Sequence, residues 1–128
     1  LDEFAGSNLY PQEKIYDILT LEALADGIME SAVSITYESK LRPDNEQSPS
    51  WMEAQWSKVL HAVKALDEGE FKAMDGEMNM GQIAVACALG YLDFRHEPRQ
   101  WRIGHSNLAS WNDKMMKLPA LIKTIPTD

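Results

Sequence analysis

Three observations predict an all-α fold. No run of Val or Ile alternates at period two, as a half-buried strand would. Two long segments repeat apolar residues at steps of three and four, the spacing of one helix face. Residues 79–95 (NMGQIAVACALGYLDFR) set a polar start before an apolar or glycine run over residues 83–92, which describes a helix buried on every side. The architecture expected is a bundle of about five helices around that buried central helix.

The elements follow in order. Pro11 opens a long helix over about residues 12–40, in which Ile18, Leu21, Ala25, Ile28, Ala32 and Ile35 form one core-facing stripe. Residues 41–47 (LRPDNEQ) are a polar connection broken by Pro43. The second long helix starts either at Ser48, with Pro49 as first residue, or at Ser50, with Glu53 closing a capping box. Met52, Trp56, Val59, Val63 and Leu66 form its core stripe, and it should fail near Gly69, leaving two long antiparallel helices.

Residues 71–78 form an irregular link. In the central helix Asn79 should accept from the amide of Gln82, Gln82 should reach back to the amide of Asn79, and Met78 should pack on Ile83. Pro98 forbids its continuation. Residues 107–117 read as an amphipathic helix with Leu108, Trp111 and Met115 on one face and Ser106 or Asn107 as N-cap. Pro119 begins a short terminal helix through Ile125, which Pro126 stops.

Length and composition fit one compact domain: 128 residues can enclose a sizeable core. The net charge of -8 disfavours a nucleic-acid backbone or an anionic membrane surface as partner. It is uneven, with -10 over residues 1–80 and +2 over residues 81–128, as an acidic solvated face would give. Cys87 is the single cysteine, so no intrachain disulfide is available, and within the central helix it should act as a small core hydrophobe. A reducing cytoplasm fits that usage. No run approaches the ~18 apolar residues of a membrane span, and the start LDEFAG has neither the basic nor the apolar region of a signal peptide. The first residue is Leu rather than Met, from which a chain cut from a longer one is expected.

Self-contained catalytic chemistry is not evident. His61, His96 and His105 lie on different segments and accompany one cysteine, so no zinc spacing arises and no metal site is expected. Asp93 and His96 stand three apart, but a helical di-metal site needs several such pairs. Asp93 is expected to bond backbone or Arg95 at the helix end. No glycine-rich phosphate loop or nucleophile elbow occurs. Among the tryptophans, Trp56 and Trp111 fall on core stripes and should pack inside. One acid stands out: Asp26 shares a helix face with Glu22, Met29, Glu30, Val33 and Thr36, beside the core stripe. A mixed face of that kind either lies against solvent or lines a cleft made with another domain.

The 79–95 block, with its Gly-Tyr-Leu-Asp-Phe-Arg end at Gly90 to Arg95, resembles the sixth helix of the C-terminal domain of bacterial-type glutathione S-transferases. Residues 22–30 (EALADGIME) resemble that family's fourth helix, 48–55 (SPSWMEAQ) the start of its fifth, and 101–126 its last two helices and tail. Residues 1–10 then look like a remnant of a preceding thioredoxin-like domain and its linker, and 11–128 like the helical domain itself. The usual family cap is Ser or Thr with Asp three residues on; Asn79 and Gln82 depart from it while keeping the geometry.

The resemblance implies a detoxifying transferase that conjugates glutathione, as co-substrate, to an apolar electrophilic small molecule. It implies a homodimer, in which Asp26 reaches across to the γ-glutamyl ammonium of glutathione bound mainly by the neighbouring subunit. Met29, Val33 and Thr36 would neighbour the electrophile pocket, while Tyr91, Phe94 and Trp101 would serve packing. The thiolate-stabilising group belongs to the thioredoxin-like domain, so this chain should bind no cofactor and carry no catalytic residue, and alone it should be inactive. The alternative is a non-catalytic interaction module, a use to which the same helical fold is also put.

Overall fold

The computed structural model describes residues 2–6 and 8–127. Of the segment read as a domain remnant, Leu1 and Ser7 lie outside the described residues. The described residues form α1 (Asp2–Ala5), α2 (Ile15–Leu41), α3 (Pro49–Asp67), α4 (Met80–Arg95), α5 (Ser106–Met115) and α6 (Pro119–Ile122), with short 3-10 turns between them and no strand. The all-α expectation holds.

The core forms as the spacing predicts. Ile18, Leu21, Ala25, Ile28, Ala32 and Ile35 of α2 are all buried, as are Trp56, Val59, Val63 and Leu66 of α3. They close on Val85, Ala88, Leu89 and Leu92 of α4, with Trp101 and Leu108 completing the cluster. The α2–α4 contact is the most extensive in the molecule. It depends on Gly81, where a Cβ would stand 2.9 Å from Leu21 Cδ2 and 3.1 Å from the Ile18 carbonyl oxygen.

The start of α2 is a 3-10 turn over Gln12–Lys14, so the α-helix begins three residues later than expected. At α3 the structure selects Ser48 as N-cap position and Pro49 as first residue. The Ser48 side chain makes no capping bond; its amide instead donates to Glu38 Oε1 at 3.0 Å. Helix α3 ends at Asp67, and Gly69 turns the chain with a φ of 77°. Glycine suits that left-handed conformation because it carries no Cβ.

Several local expectations are corrected. Asn79 caps α4 by accepting from the Gln82 amide at 3.1 Å, but Gln82 does not return the bond. Its Nε2 instead donates to the carbonyls of Ala73 and Met74, and Asn79 Nδ2 donates to the same Ala73 carbonyl at 2.8 Å, so the two amides together tie the turn over Lys72–Met74 to the start of α4. Met78, the expected staple, is exposed. The N-cap position of α5 is His105, not Ser106 or Asn107; the capping is done from another helix, as Asp67 Oδ1 accepts from the Leu108 amide at 2.8 Å. The terminal helix α6 ends at Ile122, short of Ile125. Trp56 is buried as expected, whereas Trp111 is only half-buried and Trp101 is the fully buried tryptophan.

In place of the expected bond to Arg95 or backbone, the Asp93 carboxylate accepts from Trp101 Nε1 at 2.7 Å and from Arg102 Nη2 at 2.7 Å. A buried indole N–H needs an acceptor, and Asp93 supplies it. The larger correction concerns α4, which is not buried on every side. Cys87 is exposed, and Ile83, Ala84, Gly90 and Tyr91 are partly so. An apolar sequence around a whole helix does not say which face its neighbours will cover, and here the core takes the Val85–Leu89–Leu92 side. Cys87 is therefore not the core residue expected.

Candidate functional site

The uncovered face of α4 forms one wall of a cleft. Cys87, Gly90 and Tyr91 recur at steps of three and four on that helix, and Ala86 adjoins them. Met29 of α2 closes one side; Met116, Leu121, Thr124, Ile125 and Pro126, from the chain after α5, close the other. The cleft measures about 220 Å³ and carries no charged side chain in its lining.

Tyr91 is held from behind. Its hydroxyl donates to Thr36 Oγ1 at 3.1 Å, and Thr36 donates in turn to the Ala32 carbonyl at 3.1 Å. His96 Nε2 lies 2.8 Å from the same carbonyl and 3.2 Å from Thr36 Oγ1. A carbonyl oxygen can only accept, so Nε2 carries the imidazole proton. The ring packs against Trp56 and Tyr91, with centroids 5.7 Å and 6.0 Å away. Burial holds the His96 pKa below the ordinary histidine value; the bond to Ala32 opposes this and the nearby Arg99 charge adds to it.

One turn before Met29 on α2 stands Asp26, exposed and with no hydrogen bond or ion pair among the described residues. Its neighbour Glu22 is engaged: Tyr10 donates its hydroxyl to both Glu22 oxygens at 2.9 Å. Burial, that bond and the charges of Glu22, Asp2 and Asp26 together raise the Tyr10 pKa. The N-terminal segment is tied in beside this acidic corner. Asp2 accepts from the amides of Leu9 and Tyr10, and the Leu9 carbonyl accepts from the Met80 amide at the start of α4.

The structure thus brings Met29 into the cleft, while Val33 is half-buried outside its lining and Thr36 acts through Tyr91. The sequence reading assigned Tyr91 to packing and missed it, together with Cys87, Gly90, Met116, Leu121 and Ile125, as a cleft residue. For Cys87 and Gly90 the helical spacing was present but pointed equally well to core. Among the described residues no group of three or more His, Cys, Asp or Glu side chains is placed to hold a metal, and no helix is long and apolar enough to cross a membrane.

The all-helical architecture around a capped central helix is that of a known family. The family model for the glutathione S-transferase C-terminal domain matches residues 49–113, and the chain belongs to that family. It is 31% identical over 110 residues to the uncharacterized GST-like protein YibF of Escherichia coli (strain K12), covering 83% of this chain and 53% of the relative.

Among solved structures, a glutathione transferase family member from Pseudomonas fluorescens Pf-5, with bound S-(propanoic acid)-glutathione, superposes with a TM-score of 0.89 at 36% identity. That match covers 94% of this chain and 63% of the other. A glutathione S-transferase from Methylobacillus flagellatus, with glutathione bound, gives a TM-score of 0.86 at 31% identity, over 94% of this chain and 62% of the other. The chain therefore spans about half the length of the curated relative and under two-thirds of these solved ones.

Proposed function

We propose that this chain is the electrophile-side, dimer-forming C-terminal domain of a transferase that conjugates glutathione to apolar electrophiles, in detoxification in the cytoplasm. The observation that carries the reading is the pairing of an unengaged carboxylate, Asp26, with an apolar cleft one helical turn away at Met29. In this reading Asp26 receives the γ-glutamyl ammonium of glutathione bound mainly by the neighbouring subunit. A carboxylate against an ammonium is a charge-assisted pair that strengthens as water leaves. The electrophile lies in the cleft with Met29, while Val33 and Thr36 support that wall from α2. A thioredoxin-like domain preceding this one stabilises the thiolate, the reactive form of the thiol. The thiolate sulfur bonds to the electrophilic carbon as the leaving group departs.

The test uses the protein as its source makes it, with 1-chloro-2,4-dinitrobenzene as acceptor. Turnover is expected, and Asp26→Asn should raise the KM for glutathione by about tenfold, the scale of one charge-assisted bond. Because Asp26 is exposed, the thermal midpoint should not move. A protein that neither turns over the acceptor nor binds glutathione would be a non-catalytic interaction module instead.

A further inference from the structure

Two glycines interrupt α4, and the space around them differs. Glycine is among the least favourable residues in a helix interior, since it gives up the most backbone freedom. Gly81 has a packing reason, because Leu21 and the Ile18 carbonyl leave no room for a Cβ. Gly90 has no such reason: a Cβ there would meet nothing within 4 Å, and its backbone is ordinary helix. The open space above Gly90 belongs to the cleft, whose lining places it between Cys87 and Tyr91.

We infer that Gly90 is a specificity-determining residue of this cleft, its missing side chain keeping room for one flat, neutral aromatic ligand. The inference deepens the transferase reading by naming the shape and charge of the electrophile, and it rests on that reading for the ligand's reactivity. Size sets the first limit. An apolar cavity of roughly 150 Å³ takes a benzene ring, so about 220 Å³ takes a substituted ring or a fused pair.

Charge sets the second limit. No lining side chain is ionic, so a carboxylate entering the cleft would lose its water and gain no counter-charge. Flatness is the third. The thioethers of Met29 and Met116 offer polarisable contacts to an aromatic ring. The Tyr91 ring, fixed through its bond to Thr36, offers an aromatic partner of settled orientation. An aliphatic ligand of equal volume would gain neither contact.

The experiment is calorimetric titration of the protein as its source makes it, without glutathione, using 1-naphthol and 1-naphthoate as neutral and anionic probes. Naphthol should bind about tenfold or more tightly than naphthoate, and Gly90→Leu, which projects into the cleft, should weaken naphthol by about tenfold or more. Gly90→Ala should weaken it less and, by removing a helix-interior glycine, should raise the thermal midpoint, so a folded variant remains for the comparison. Unchanged naphthol affinity in both variants, or naphthoate binding as tightly as naphthol, would overturn the inference. Glutathione conjugation measured in parallel separates the two readings. Naphthol lost on Gly90→Leu in a protein that conjugates nothing supports the cleft assignment and removes the transferase; conjugation with naphthol affinity indifferent to residue 90 does the reverse.

Discussion

Gly81 lies so close to Leu21 that a Cβ on the glycine would stand 2.9 Å from Leu21 Cδ2 and 3.0 Å from its Cβ. This approach seats α4 on α2. Gly81→Ala brings about 1 kcal/mol of helix propensity but forces apart a contact that includes backbone, an overpacking that costs about 1–3 kcal/mol. Because the Ile18 carbonyl cannot rotate away as a side-chain tip can, the cost should prevail. The urea midpoint of Gly81→Ala should fall by the equivalent of about 1–2 kcal/mol. A midpoint at or above that of the parent would show that the two helices separate without penalty.

That contact also marks how far the sequence could be read. Periodicity placed every core residue of α2 and α3, because each has one apolar face and hence one way to bury it. In α4 the same rule had nothing to work on: Val85 and Leu89 are buried and Cys87 exposed, yet all three are apolar. Which side stays open depends on where α2 and the C-terminal segment lie. The Asp26–Met29 face was legible from spacing along one helix. The opposite wall, Met116 to Pro126, was not, since its residues come from a short helix and irregular chain with no period of their own. Nor was the cap that Asp67 places on α5, which joins residues 41 apart in sequence.

Asn112 is fully buried in α5, and neither its Oδ1 nor its Nδ2 has a hydrogen-bond partner among the described residues. Leaving a buried amide unsatisfied costs about 1–3 kcal/mol. Asn112→Leu keeps the branching of the side chain and removes both polar atoms, so it should raise stability by about 1 kcal/mol or more. A thermal melt checks this. A lower midpoint would mean that an internal water serves the amide.

His96 gives a pH dependence whose sign follows from its lowered pKa. In the unfolded chain the imidazole takes a proton near the ordinary histidine value of about 6.5; in the fold burial resists it. Between the two values the unfolded state binds more protons, so stability rises with pH there. The contribution is complete above the unfolded pKa and is lost as pH falls through about 6.5 toward the lower folded value. His96→Gln retains an N–H for the Ala32 carbonyl and does not titrate. Its urea midpoint should therefore decline less between about pH 7.5 and pH 5.5 than that of the parent. Parallel declines would assign the acid sensitivity to other groups.

Asp93 ties its own helix to the segment after it through the buried Trp101 and through Arg102, which also reaches Asp113 of α5 at 2.9 Å. The two partners are not equivalent. Arg102 and Asp93 are each more than a third exposed, so their ion pair is screened and worth about 1 kcal/mol or less. The Trp101 indole is 2% exposed and donates to a carboxylate, so its hydrogen bond belongs to the stronger class of about 1.5–3 kcal/mol. Asp93→Ala should accordingly cost about 2 kcal/mol, chiefly through the indole left without an acceptor. Asp93→Asn, which keeps an acceptor, should cost less. Double-mutant cycles test the ranking directly: the coupling of Asp93→Ala with Trp101→Phe should exceed its coupling with Arg102→Ala. The reverse order would make the salt bridge, rather than the buried indole, the reason for an acid at this end of α4.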